Sequence, residues 1–188
     1  MKKFELTAEY VTNIFGKKLF RIKALVEFGN VKEGDLGGFV EKESNIDDDG
    51  NAWVSGNAQV FGNAKISGNA QVYGNAKVFG NAWVFGNAWI SGNAQVYGNA
   101  CVAENLDYAI VGGFGSEQQT ITFFRQKDGS VGAKCGFFYR TLEEFREKVL
   151  ETHGESKYAR EYLMIADLIE LHFAGGCDGN DKDDHSCL

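Results

Sequence analysis

Few side chains in this chain belong to the types that make and break bonds, and their spacing favours no reaction. The three histidines, His153, His172 and His185, all lie near the C-terminus. The four cysteines, Cys101, Cys135, Cys177 and Cys187, are far apart and form no Cys-x-x-Cys pair, so neither a zinc site nor a dithiol centre is spelled out. Cys101 has no histidine near it in sequence to hold it as a thiolate. Acidic residues cluster at 47–49, read as part of an end cap rather than a metal site, and again at Asp178, Asp181, Asp183 and Asp184, where with Cys177, His185 and Cys187 the spacing matches no zinc site. No catalytic residue, metal or cofactor is expected. His153 stands before Gly154 at the end of a helical pattern, where a cation suits the helix dipole, and capping is its simpler role.

The chemistry on offer is that of binding. Lys65 and Lys77 stand among Phe79, Trp83 and Phe85, and Arg125, Lys134 and Arg140 follow. Flat rings beside cations suit a nucleotide, whose base stacks while its phosphate is neutralised. The expected ligand-binding set is therefore Lys65, Lys77, Trp83, Arg125, Lys134 and Arg140. Glu143 and Glu144 dilute the last part of that patch.

These residues must be positioned by the stretch from Gly50 to Ala103. It is nine consecutive six-residue units of the form Gly-Asn-Ala-x-(Val/Ile)-x, without insertion. A short fixed period marks a β-solenoid, in which each unit packs on its neighbours. Ala and Val/Ile are two residues apart, so both point to one face of an extended strand while the x residues point outward. Gly-Asn supplies the bend, because both residue types tolerate positive φ. Asn recurs at each corner, where stacked side chains can pair along the solenoid axis.

An aliphatic residue four positions before a small one, as in Val60 to Ala64, resembles the hexapeptide repeat of left-handed β-helix proteins. The resemblance implies triangular coils of three hexads, hence three full coils in a prism about 14 Å tall at the usual strand spacing. It also implies a test for the family's chemistry. Acyltransferase members use a histidine on the solenoid as general base, and carbonic-anhydrase members use three as zinc ligands. Residues 50–103 contain no histidine. Catalytic members usually interrupt the coils with an excursion loop, which is lacking here. The GNA-x-V-x wording, with its flanking segments, further resembles small phage and prophage proteins of unestablished activity.

Written out by coil, the first face stacks Trp53/Ser55, Gln71/Tyr73 and Trp89/Ser91. The second stacks Gln59/Phe61, Lys77/Phe79 and Gln95/Tyr97. The third stacks Lys65/Ser67, Trp83/Phe85 and Cys101/Ala103. The second face thus carries an outward ladder, Phe61, Phe79 and Tyr97, expected as an oligomer interface because contiguous exposed apolar surface marks a binding face. The family commonly forms trimers, and a homotrimer is expected. A terminal segment folding back over the ladder is one alternative, and a ligand or foreign partner on it is the other.

Before the repeat, Gly16-Lys17 separates two β-rich runs and suggests a hairpin, with Phe20, Ile22, Ala24 and Val26 as its buried face. Ser44-Asn45-Ile46 falls in phase with Gly-Asn-Ala, giving a degenerate coil that puts Asp48 at the aliphatic position. After the repeat, Asp128-Gly129 is a two-residue hairpin turn between strand-like runs. Thr141-Leu142-Glu143-Glu144 is a capping box opening a helix whose apolar side is Leu142, Phe145, Val149 and Leu150. A second helix spans about 156–173, with Tyr158, Tyr162, Ile165 and Ile169 at helical spacing.

The expected fold is mainly β: a short left-handed parallel β-helix of three full coils, an N-terminal β-hairpin cap, and a C-terminal β-hairpin plus two α-helices. The units are an N-terminal cap (1–49), the repeat (50–103), an α+β segment (104–173) and a disordered acidic tail (174–188). The net charge of −7 argues against a general DNA or RNA binder, although residues 50–103 contain no carboxylate. The N-terminus lacks the apolar run of a signal peptide and no stretch approaches membrane-spanning length, so a cytoplasmic protein without membrane contact is expected, in the bacterial host cytosol if phage-encoded. The functional expectation is a non-catalytic, phage-type binding protein that sequesters a small nucleotide-like signal of host immunity at or between subunits. A protein-interaction module that inhibits a host defence protein, and a divergent acyltransferase, are the alternatives.

Overall fold

The computed structural model describes residues 2–115 and 117–174. Apart from Ala174, the expected acidic tail lies outside the described residues, as do Cys177, His185 and Cys187. The N-terminus forms a hairpin of β1 (Phe4–Thr12) and β2 (Lys18–Ala24), followed by β3 (Leu36–Val40). Nine two-residue strands then follow at six-residue intervals. They are β4 (Trp53–Val54), β5 (Gln59–Val60), β6 (Lys65–Ile66), β7 (Gln71–Val72), β8 (Lys77–Val78), β9 (Trp83–Val84), β10 (Trp89–Ile90), β11 (Gln95–Val96) and β12 (Cys101–Val102).

Every third strand pairs in parallel, which makes the stretch a parallel β-solenoid with three faces. The stacks are β4-β7-β10, β5-β8-β11 and β6-β9-β12, with partners such as Gln59 and Lys77 eighteen residues apart. The Ala and Val/Ile side chains fill the interior: Val54, Val60, Ile66, Val72, Val78, Val84, Ile90, Val96 and Val102 are all fully buried. Each such side chain contributes about 1.5–3 kcal/mol of burial. At the corners the glycines hold positive φ; Gly74, at +72°, is representative, and a Cβ there would stand 3.2 Å from Gly92 backbone atoms of the next coil.

The corner asparagines form ladders. Asn51 Nδ2 donates to Asn69 Oδ1 at 3.0 Å and Asn69 Nδ2 to Asn87 Oδ1 at 3.1 Å. The parallel chain through Asn57, Asn75 and Asn93 is longer, at 3.4 Å per step. Asn69→Ala removes two such bonds and should cost about 1–2 kcal/mol. Asn75→Ala should cost measurably less. Urea denaturation of the two variants checks the order, and equal losses would show that the side-chain ladder contributes nothing specific.

The hairpin does more than precede the solenoid. Strand β3 pairs antiparallel with β2 and parallel with β5, so β1-β2-β3 extends the second face as one six-stranded sheet. The degenerate coil is present, but its phase differs from the sequence expectation. Ile46 bridges to Ile66, twenty residues on, so Ile46 takes the aliphatic position and the acidic residues 47–49 become an enlarged corner. Asp48 thereby escapes the core: its Oδ1 accepts from the Lys3 backbone N–H at 3.1 Å. Lys3, itself buried, donates to the carbonyls of Asp49 and Gly50. Asn45 stands in for a corner residue, donating to Ala64 O at 2.8 Å.

The aromatic ladder is not an outer surface. Phe61 and Phe79 stack at 4.8 Å, yet they are only 5% and 7% exposed. Leu19 of β2 and Phe39 of β3 cluster with them, and Phe15 at the hairpin tip reaches within 6.1 and 6.4 Å of their rings. Burying this surface within the chain offsets the cost of ordering the hairpin, so Phe61 and Phe79 have no surface left for a subunit contact. Tyr97 stays half-exposed. Trp53, expected outward on the first face, is also buried, packed edge-on by Phe4 and Phe28.

The C-terminal segment is larger than a single hairpin. Strands β13 (Tyr108–Val111), β14 (Ile121–Arg125), β15 (Val131–Cys135) and β16 (Phe138–Thr141) form an antiparallel meander, with Asp128-Gly129 in the turn between β14 and β15. This sheet has two covered faces. Phe124 belongs to the solenoid core, whereas Ile121, Phe123 and Ala133 pack on α1 (Leu142–His153) and α2 (Lys157–Ala174). The capping box forms as written: Thr141 Oγ1 accepts from Glu144 N–H and a Glu144 carboxylate oxygen accepts from Thr141 N–H. Gly154 ends α1 at positive φ, its N–H donating to Leu150 O. Leu150 and Tyr158, expected on the apolar sides, are exposed instead. No helix among the described residues is long and apolar enough to cross a membrane.

Candidate binding surfaces

The six residues expected to bind ligand fall at separate places. Lys65 and Trp83 are cross-strand partners on the third face, with Cys101 next in the same row. Lys65 is exposed and Trp83 is 41% exposed. The indole is held by a 3.0 Å hydrogen bond from its Nε1 to Ser67 Oγ and by stacking on Phe85 at 4.4 Å. A presented, fixed ring with a cation beside it and no carboxylate in the repeat is a competent stacking platform.

Lys77 lies half-buried on the second face between Gln59 and Gln95. Lys134 reaches that face from β15, its ammonium 5.4 Å from the centre of the Tyr97 ring. Lys134 is buried and donates to Gly136 O, and burial pushes its pKa down. Of the other two cations, Arg125 serves the fold. Arg125 pairs with the buried Asp107 at 3.0 Å and donates to Phe173 O, tying β14 to a short 3-10 turn (Asn105–Asp107) and to α2. Arg140 is exposed and donates to Tyr139 O.

Other side chains of reactive type are also engaged structurally. Cys135 and His153 line one cleft of about 180 Å³ between the meander and the helices, but the thiol donates to Gln119 Oε1 at 3.1 Å. Burial pushes the Cys135 pKa up, which disfavours the reactive thiolate. The His153 ring packs on Tyr162 and that of His172 on Phe173. Among the described residues no group of three or more His, Cys, Asp or Glu is placed to hold a metal ion.

One concave site has no counterpart in the expected set. It is a groove of about 390 Å³ lined by Tyr73, Trp89, Ser91, Asn105, Tyr108, Ala109 and Ile110. Trp89 and Tyr73 were legible as outward residues of the first face. The opposite wall comes from β13 and the turn before it, whose approach to β10 no sequence pattern announces.

Part of the repeat matches a family model, the YdcK Beta solenoid repeat, at residues 58–74 and 70–86. The chain is a β-solenoid repeat protein. The matched residues cover five of its short strands, β5 to β9, and leave both ends of the solenoid and the helical segment outside the pattern. No curated protein matches the chain.

Proposed function

We propose that this solenoid protein is a non-catalytic binding protein that holds a small nucleotide-like anion on its third face. The observation that carries the reading is the cross-strand pair of exposed Lys65 and fixed, exposed Trp83 in a repeat without carboxylates. A base stacks on the indole while the ammonium meets a phosphate, and like-charge repulsion is missing. Together with the phage-type resemblance, this favours a cyclic oligonucleotide or NAD-derived signal of host immunity that is sequestered in the cytosol. The homotrimer belongs to the same proposal, and its contacts must use surfaces other than Phe61 and Phe79. Calorimetric titration with a panel of cyclic dinucleotides, cyclic trinucleotides and NAD derivatives tests it. Trp83→Ala should weaken the responding ligand about tenfold or more, the scale of base–aromatic stacking. Failure of every member to bind ends the nucleotide reading.

A second reading, a protein-interaction module that inhibits a host defence protein, is favoured by α2. Met164, Leu168 and Leu171 form an outer stripe at 71%, 62% and 73% exposure, while Tyr162, Ile165 and Ile169 pack inward. Contiguous exposed apolar side chains of this kind mark interaction faces. Pull-down from host lysate with wild type and Leu168→Glu separates the readings, since a small-molecule binder retains no stoichiometric partner.

A further inference from the structure

We propose that the groove between β10 and β13 binds an uncharged saccharide. The chain leaves the solenoid after β12, so β10 on the first face has no further coil to pair with. Among the described residues, side chains close its edge at Trp89 alone. Trp89 N–H donates to Asn105 Oδ1 at 2.8 Å, and Tyr108 Oη donates to Trp89 O at 2.7 Å.

One position further the pairing stops. In earlier coils the equivalent backbone donors are satisfied, as Ser55 N–H is by Val72 O and Tyr73 N–H by Ile90 O. Ser91 N–H and Ser91 Oγ have no hydrogen-bond partner among the described residues, and neither does the Asn105 side-chain NH₂. The groove therefore combines free neutral hydrogen-bonding groups with two presented rings, Trp89 at 54% and Tyr73 at 39% exposure, and with Ile110 on the far wall.

That combination selects a ligand class. Among the described residues no charged side chain lines the groove, so none there neutralises a phosphate or carboxylate. A peptide adding as a strand needs a run of free backbone groups, and Asn105 and Tyr108 already occupy those of Trp89. A pyranose ring has an apolar C–H face to lie on the indole and hydroxyl oxygens to meet Ser91 and Asn105. The volume falls within the ordinary range of small-ligand clefts, about 300–1,000 Å³.

The test uses the full chain with cellobiose, maltose and N,N′-diacetylchitobiose, followed by saturation-transfer NMR on the sugar protons and by calorimetry. At least one disaccharide should bind with a Kd no weaker than about 10 mM. Trp89→Ala should weaken it about tenfold or more, and Tyr73→Ala, which alters no hydrogen bond of the fold, should weaken it too. Trp83→Ala, on the other face, should leave it unchanged, so this site and the nucleotide site fail or succeed separately. Absence of binding by all three sugars overturns the proposal. So does binding that survives both Trp89→Ala and Tyr73→Ala in variants whose circular dichroism matches wild type, or a groove that takes a short extended peptide and no sugar.

Discussion

Phe79→Glu should abolish the stable fold rather than change the mass of a folded assembly. The ring lies between Phe61 and Tyr97 and beneath the hairpin tip, at 7% exposure. Losing a buried phenylalanine costs about 3–5 kcal/mol, and burying a carboxylate in its place adds a desolvation penalty of several more. The sum is comparable with the whole stability of an ordinary domain, about 5–15 kcal/mol. The expected result is an insoluble chain, or one whose hairpin has detached, with a melting temperature lowered by more than about 15 °C. Tyr97→Glu, at the half-exposed end of the ladder, should be milder. Thermal melts and light scattering are read together. A variant that stays folded with an unchanged melting temperature while its mass falls would show that the ladder serves a subunit contact after all.

Phe124→Ala should open the C-terminal end of the solenoid. Phe124 is fully buried in the solenoid core, on a strand lying against β11 and β12, and its ring stacks over Tyr139. Truncation should cost about 3–5 kcal/mol, because the interior of a short solenoid has no second layer to collapse into the void. Hydrogen exchange should quicken first at residues 95–103. Phe123→Ala offers the contrast: the neighbouring side chain is equally buried but packs on α1 through Phe145. Its loss should cost a similar amount and appear first in α1 and α2. If both variants release the same amides, the meander is not the divider between two cores that its alternating side chains describe.

The regular parts of this protein are read easily because each rests on a local rule. Gly-Asn-Ala-x-Val-x specifies one bend and one inward pair per unit, and eighteen-residue pairing follows from three bends per coil. Thr141 and Glu144 need only each other to start a helix, and Gly154 needs only its own φ to stop one. The misread positions all depend on something distant. Ile46 looked in phase with alanine because the two extra residues at the acidic corner are invisible until Lys3 arrives to hold them. Leu150 and Tyr158 have helical spacing on the apolar side, yet both stay exposed once the helices dock.

What the sequence determined alone is the solenoid itself: its period, its inward alanines and valines, its asparagine corners, and the absence of histidine and carboxylate from its faces. These follow from side-chain alternation and turn geometry within six residues. Which faces remain open was decided by tertiary structure. The hairpin covers the second face because Leu19 and Phe39 bury their apolar surface there against Phe61 and Phe79, and β3 finds its backbone partners on β5. The meander closes the far end but leaves the edge of β10 unpaired, so a groove stands where a fourth strand of the first face would have been. A repeat fixes what every outward side chain is; only the segments packed against it decide which of them meet solvent.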